Sequence, residues 1–350
     1  MHKTTDTAKS ASPRKPLLVD LALQGGGAHG AFTWGVLDRL LEEPWLTFDG
    51  ISGTSAGAMN AAVMASGHTH GGADGAKAAL ETFWKCVSDA SKYSPMLRGP
   101  MDMLTGRWTL ENSPMFMAGE MMTRMFSPYE LNPSGSNPLT KILAETVDFE
   151  CLASSPIRLF ITATNVRTGS GRVFRNAEIT PDVLLASGCL PTMFQAVEID
   201  GESYWDGGYV GNPTITPLVR ECDSHDTILI QINPINRPTI PRSARDIHNR
   251  LNEVAFNAPL LKELRMIALL HKVADAGRGE GAKWAGMRIH RIATDRVTEL
   301  DSTSKMITEW RFLCGLRDEG RRTAQLFLDT HGDDLGKRST LDLDAMLETA

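Results

Sequence analysis

Phe48-Asp49-Gly50-Ile51-Ser52-Gly53-Thr54-Ser55-Ala56-Gly57, running into Ala58-Met59-Asn60-Ala61-Ala62-Val63-Met64-Ala65, is the stretch whose reading decides the fold. A short apolar run enters a five-residue G-x-S-x-G turn, and a run of small side chains that reads as a buried helix leaves it. Strand, sharp turn and helix in this order make a nucleophile elbow. Gly53 and Gly57 suit it because strand and helix approach closely there. Such a turn strains the serine backbone and projects Ser55 Oγ at the strand's C-terminal edge. The helix N-terminus behind it favours developing negative charge.

Upstream, Leu17 to Leu23 is apolar except for Asp20 and suits a buried parallel strand. It ends in Gln24-Gly25-Gly26-Gly27-Ala28-His29-Gly30, and a helical run follows over 31–43. With the strand at 48–52 this is a β-α-β unit. Right-handed crossovers place the glycine loop and the elbow at the same sheet edge, side by side. Gly25-x-Gly27-x-x-Gly30 fits a dinucleotide fingerprint, but that fingerprint wants an acid closing the second strand. Asp49 comes too early for that, and Ser52-Gly53 stand where the carboxylate belongs. The better reading is an oxyanion hole, with amides of Gly25, Gly26, Gly27 and Ala28, joined by Ala56, directed at a carbonyl oxygen as it becomes negative.

The rest of the chain reads as helices over 72–93, 139–149, 181–187 and 258–274, strands over 157–163, 227–232 and 287–292, and a long helix over 305–330. Residues 197–205 form a hairpin around Asp200-Gly201. It ends in Asp206-Gly207-Gly208, which taken alone reads as a turn. Between Met96 and Met125 lie eight of the sixteen methionines. Singly they read as loose core filling, collectively as a mobile apolar flap for an irregular acyl chain. Residues 128–138 read as a proline-marked connector, and Arg242, Arg245 and Arg250 as a solvated helix face.

The expected organisation is a tail at 1–16, an α/β catalytic domain over 17–220 with the flap as an insertion at 96–136, strands and helices over 221–331 completing the same domain, and a polar tail at 332–350. The sheet is expected to be mostly parallel, with helices on both faces in three layers. The 350 residues are 42% hydrophobic and 22% charged, the make-up of a globular protein. A net charge of -6 gives no reason to propose a nucleic acid partner. The polar start lacks the apolar core of a secretory signal, and no run is long enough for a membrane span. Five scattered cysteines suggest neither a disulfide framework nor a zinc site and fit a reducing cytoplasm. His68 and His70 read as solvated.

Taken together, Gly25-Gly26-Gly27-Ala28-His29-Gly30, Gly53-Thr54-Ser55-Ala56-Gly57 and Asp206-Gly207-Gly208 form an ordered set that resembles the patatin-like phospholipase family. The resemblance extends to Ala186-Ser187-Gly188-Cys189-Leu190-Pro191 and to Asn212-Pro213, and covers about residues 17–220. It implies a three-layer α/β fold and a lipid acyl hydrolase using a Ser-Asp dyad. Ser55 would be the nucleophile and Asp206 the proton acceptor, with Gly30, Gly53, Gly57, Gly207 and Gly208 as motif glycines. An acyl-enzyme would form and be hydrolysed by water, without metal or cofactor. His29 departs from the family's usual Arg or Lys, which makes any positive charge beside the oxyanion pH-dependent. The partner implied is a lipid ester, met in the cytoplasm or at a membrane or lipid granule, with oligomeric state unset.

Two rivals stand beside this reading. One is a Ser-His-Asp triad esterase drawing on His225, His248, His271, His290 or His331; an intracellular polyester is an alternative substrate. The other is a non-catalytic protein that holds lipid or dinucleotide.

Overall fold

The apolar runs gather into one sheet. In the computed structural model, which describes residues 14–91, 97–273 and 279–345, the strands are β1 (Leu17–Leu23), β2 (Leu46–Gly53), β3 (Arg158–Asn165), β4 (Gly171–Arg175), β5 (Val197–Ile199), β6 (Glu202–Asp206), β7 (Asp226–Ile230) and β8 (Arg288–Ile292). Their order is β5-β6-β3-β2-β1-β7-β8, with β4 paired to β3 off that path. β3, β2, β1, β7 and β8 run parallel, while β4, β5 and β6 are joined antiparallel.

Between them run α1 (Gly30–Leu40), α2 (Ala56–Ser91), α3 (Pro100–Thr105), α4 (Pro114–Met125), α5 (Pro128–Leu131), α6 (Pro138–Thr146), α7 (Phe149–Ala153) and α8 (Pro181–Ser187). Then come α9 (Thr216–Glu221), α10 (Ala244–Val273), α11 (Glu280–Ala285), α12 (Asp295–Thr298) and α13 (Trp310–His331).

Strand alternation divides the core in two. Val19, Leu21 and Leu23 face one apolar cluster with α1, α2, α8 and α13. Ala22, Leu229 and Ile289 face the other, with α9, α10 and α11. Helices on both faces of a mostly parallel sheet match the expected class. Asp20 interrupts the apolar run for a local reason. The β1–β2 register shifts between Val19 and Leu21, and Asp20 Oδ1 accepts the Gly50 N–H at 2.9 Å beside that irregularity.

Several expectations need correction. The helix expected over 72–93 is the second part of α2, which breaks at Gly71 and Gly72. The Met-rich segment contains α3 and α4, and the expected 128–138 connector contains α5. Its inner side is anchored. Leu110 N–H donates to Thr303 Oγ1 at 2.8 Å, and Arg98 grips Glu309 with two bonds of 2.6 and 2.7 Å. Met101, Met103, Leu104, Met115, Met117, Met121 and Met125 are exposed. α10 starts at Ala244 and continues through Pro259. Arg245 pairs with Glu120 and Arg250 with Glu253, so neither belongs to a purely solvated face. A short 3-10 turn at Ser302–Met306 precedes α13, where one continuous helix was expected. After His331 the chain packs, burying Leu341 and Leu343. The tail at 1–13, residues 92–96, the end of the helix expected over 258–274, and 346–350 lie outside the described residues.

Candidate active site

The sheet itself brings the key residues together. Phe160 and Ile161 pair with β2 on one edge and β4 on the other. Two residues on, Ala163 and Thr164 pair with β4 and β6. β6 therefore succeeds β2 along one edge of β3. Gly53, the last residue of β2, is opposite Ile161; Asp206, the last of β6, is opposite Ala163. The chain leaving β2 into the elbow thus meets the end of the hairpin.

Ser55 adopts φ 54°, a left-handed conformation that side chains other than glycine rarely take. The tightness around it is backbone on backbone: a Cβ on Gly57 would fall 2.2 Å from the Leu23 carbonyl oxygen. Ser55 N–H donates to Ser187 Oγ at 2.9 Å, whose hydroxyl donates to the Thr162 carbonyl at 2.7 Å. This fixes the serine backbone to α8 and β3 together. Gly188 lies beside Ser55, where a Cβ would be 3.6 Å from Ser55 Oγ.

Asp206 is buried, and the Ser55 hydroxyl is near enough to lower its pKa. Its Oδ1 accepts the Gly208 N–H at 2.7 Å. Burial pushes the Asp206 pKa up to about 7, against the lowering effect of these two groups. Its backbone is fixed by the Asp206 N–H donating to the Cys189 carbonyl at 2.8 Å and by Thr164 Oγ1 donating to the Asp206 carbonyl at 2.7 Å.

The glycine loop lies against the elbow, with the Gly25 Cβ position 2.7 Å from Ser55 Cβ. Its amides are not equivalent. Gly25 N–H donates to Asn212 Oδ1 at 2.7 Å, so its donor is spent on holding the loop and is not available to a substrate. Gly27 and Ala28 open a 3-10 turn, Gly27–His29, and Ala56 opens α2; first-turn amides have no carbonyl of their own helix to bind. His29 turns away, its Nε2 2.7 Å from Ser304 Oγ, and burial, with Lys305 and Arg237 nearby, holds its pKa well below the ordinary value. It is a neutral ring, not a titrating charge on the glycine loop.

Two histidines entertained for a triad have other partners. His290 Nε2 sits 3.0 Å from Asp226 Oδ1, and His331 Nδ1 sits 3.2 Å from Asp334 Oδ2. His70, read as solvated, is exposed, with its Nε2 3.0 Å from Asp148 Oδ2. Ser187 and Asn212 lie in the stretches to which the resemblance extends, but their contacts with the Ser55 and Gly25 N–H groups are not legible there. Asn233 is marked in the sequence only as preceding a proline after a strand, and its N–H and side chain hold Gln24 and Gly25.

The fold sets a strained elbow serine and a buried carboxylate at the C-terminal edge of a mixed α/β sheet. The chain belongs to the patatin-like phospholipase family, which matches residues 21–219. Among solved structures, VipD from Legionella pneumophila is similar at 16% identity and a TM-score of 0.41, over 91% of this chain and 67% of VipD. The type III effector protein ExoU is similar at 17% identity and a TM-score of 0.30, over 91% of this chain and 54% of ExoU, so the chain spans about half of that protein. No curated protein matches. Among the described residues no helix is long and apolar enough to cross a membrane.

Proposed function

We propose that the protein hydrolyses carboxylic esters of lipids through Ser55 and Asp206. The observation that supports this is the strand register that ends β2 and β6 side by side on β3, placing Ser55, at a strained elbow, near a buried carboxylate whose pKa is raised to about 7. A carboxylate of ordinary pKa is a weak base at neutral pH; one near 7 takes the serine proton more readily and still gives it up. Ser55 Oγ attacks the ester carbonyl as Asp206 accepts its proton. The tetrahedral oxyanion is held by amides of Gly26, Gly27, Ala28 and Ala56, each such donor being worth about 3–4 kcal/mol in comparable sites. Asp206 returns the proton to the departing alcohol, leaving an acyl-Ser55. Water, deprotonated by Asp206, then attacks that ester, and the fatty acid leaves as Ser55 Oγ takes the proton back from Asp206.

Uptake of a fluorophosphonate probe tests the nucleophile. Wild type is expected to label stoichiometrically and Ser55→Ala not at all; labelling that survives the substitution refutes the assignment. Product analysis by mass spectrometry on mixed lipids then sets the substrate class.

The exposed methionines extend the proposal to the substrate's apolar part. Gly188 begins a segment that leads from Ser55 to α5, where Gln195 Nε2 donates to the Asn132 carbonyl at 2.7 Å and Ala196 N–H to the Tyr129 hydroxyl at 3.3 Å. Met117, Met121 and Met125 are spaced by four along α4, one face of the helix. Replacing all three by Glu is expected to cut hydrolysis of long-chain phospholipid in vesicles about tenfold relative to a soluble butyrate ester. An unchanged ratio removes the Met-rich segment from substrate contact.

A further inference from the structure

The glycine loop is tied to the C-terminal part of the chain by a row of polar groups whose chemistry dictates their orientation. Lys305 Nζ donates to Asn233 Oδ1 at 2.7 Å, and Asn233 Nδ2 donates to the Gly25 carbonyl at 2.7 Å. An ammonium only donates and a carbonyl only accepts, so the Asn233 amide has one way round. Asn233 is itself buried, with its N–H donating to Gln24 Oε1 at 2.8 Å. In a trans peptide the C=O and the following N–H point in opposite directions. Holding the Gly25 carbonyl on Asn233 therefore turns the Gly26 N–H to the other side of the loop. The Lys305 backbone also closes on the loop: a Cβ on Gly27, which has φ +58°, would fall 2.5 Å from the Lys305 carbonyl oxygen.

We infer that Lys305 is a positioning residue for ester hydrolysis, the fixed positive charge behind the oxyanion site, acting through Asn233 and the Gly25–Gly26 peptide on the Gly26 N–H. The proposal rests on the hydrolase reading above. From ammonium to Gly26 N–H, two amide groups lie in series with their positive ends toward the developing oxyanion. Hydrogen bonds in such a chain polarise one another, and the field is in place before the reaction begins. His29 supplies no such charge, being neutral and bonded to Ser304. Lys305 lies beyond the family match at 21–219, where no motif points to it.

The charge titrates. Burial lowers the Lys305 pKa to about 8; Glu253 on α10 works against this and Arg237 with it. Glu253 is shared with Arg237 and Arg250, and His29, the titratable group on the loop side, is neutral. Lys305 is thus charged at pH 7 and loses its charge as pH rises through about 8. Asp206 must be ionised, so the acid limb belongs to it and the alkaline limb to Lys305.

The test uses the full chain: fluorophosphonate labelling rate, and kcat and KM for p-nitrophenyl butyrate, from about pH 6 to 9.5, with thermal denaturation alongside. Removing a direct oxyanion donor costs roughly 10²–10³-fold; the charge behind one such donor accounts for less. Lys305→Met is expected to slow labelling and kcat about tenfold at pH 7 with KM unchanged, and to lack the alkaline limb of the wild type. Lys305→Arg is expected to keep most of the rate at pH 7 and hold it above pH 8, because a guanidinium stays charged. The proposal is overturned if Lys305→Met stays within twofold of wild type, or if both variants keep the wild-type alkaline limb. If Lys305→Met fails to fold, the wild type and the Arg variant still decide, and a wild type with no alkaline limb overturns it. A wild type that takes up no probe at any pH brings down the hydrolase reading and this inference together. A labelled wild type with an equally labelled Lys305→Met brings down this inference alone.

Discussion

Asp206→Asn is expected to inactivate the protein and stabilise it in one step. Loss of a general base costs about 10²–10⁴-fold in rate, and here the same residue is asked to serve both half-reactions, so kcat should fall toward the upper end. The stability effect follows from linkage. The unfolded chain releases this proton near pH 4, whereas the folded protein holds it until about pH 7. Between those values the native state binds more protons than the unfolded state, so stability declines as pH rises through the window and stays low above it. The penalty is roughly three pKa units, on the order of 4 kcal/mol as an upper bound. The Asn variant escapes it while keeping an oxygen for the Gly208 N–H. Its melting temperature should exceed that of wild type at pH 8, and the difference should vanish by about pH 4. Asp20 and Glu263, raised by burial to about 8 and about 7, move the same way. The difference between the two proteins, not the wild-type curve, therefore isolates Asp206. Equal stability at both pH values would mean that the carboxylate is solvated, and the argument for its basicity would go with it.

What the sequence made legible is the part governed by local backbone chemistry. G-x-S-x-G between an apolar run and small residues dictates strand, strained turn and helix, and φ 54° at Ser55 is that dictation carried out. Asp200-Gly201 dictates a hairpin, and both residues have positive φ. What stayed hidden depends on packing across the chain. β4 is Gly-Arg-Val-Phe-Arg, whose glycine and two arginines mask a strand that β3 recruits by pairing. The first half of α10 leaves Ile247, Leu251 and Val254 exposed, so its apolar residues do not mark a core-facing stripe, and Pro259 reads as a break where the helix runs on. Gly25 carries the same motif letters as Gly26, yet Asn212, 187 positions away, takes its N–H. Lys305 has no local signal at all, because its partner is an asparagine in the loop after β7.

The largest loss of stability is expected from Asp226→Ala, and it should leave the chemistry untouched. Asp226 opens β7 and is buried. Its Oδ2 accepts from Arg288 Nη2 at 2.6 Å. Its Oδ1 meets Arg288 Nε at 3.0 Å, His290 Nε2 at 3.0 Å and the Gly336 N–H at 2.8 Å. Burial alone would raise its pKa, but the bonds from His290, Arg288 and Gly336 outweigh that and hold it well below the usual carboxylate range. The folded-state pKa is depressed, so this contribution is complete above about pH 4 and is lost as pH falls below it. One carboxylate thus joins β7, β8 and the segment after α13, whose Leu341 N–H donates to the Ile289 carbonyl at 3.0 Å. Truncating it strands a guanidinium and a buried ring, and breaking a buried pair from one side costs about 3–5 kcal/mol. Urea denaturation at pH 7 should show that loss. The Ser55 loop lies beyond the opposite, C-terminal ends of these parallel strands, so kcat/KM per folded molecule should match wild type. A drop in kcat/KM without a drop in stability would mean that the far edge of the sheet feeds into the site, contrary to the separation of scaffold and chemistry that the strand directions impose.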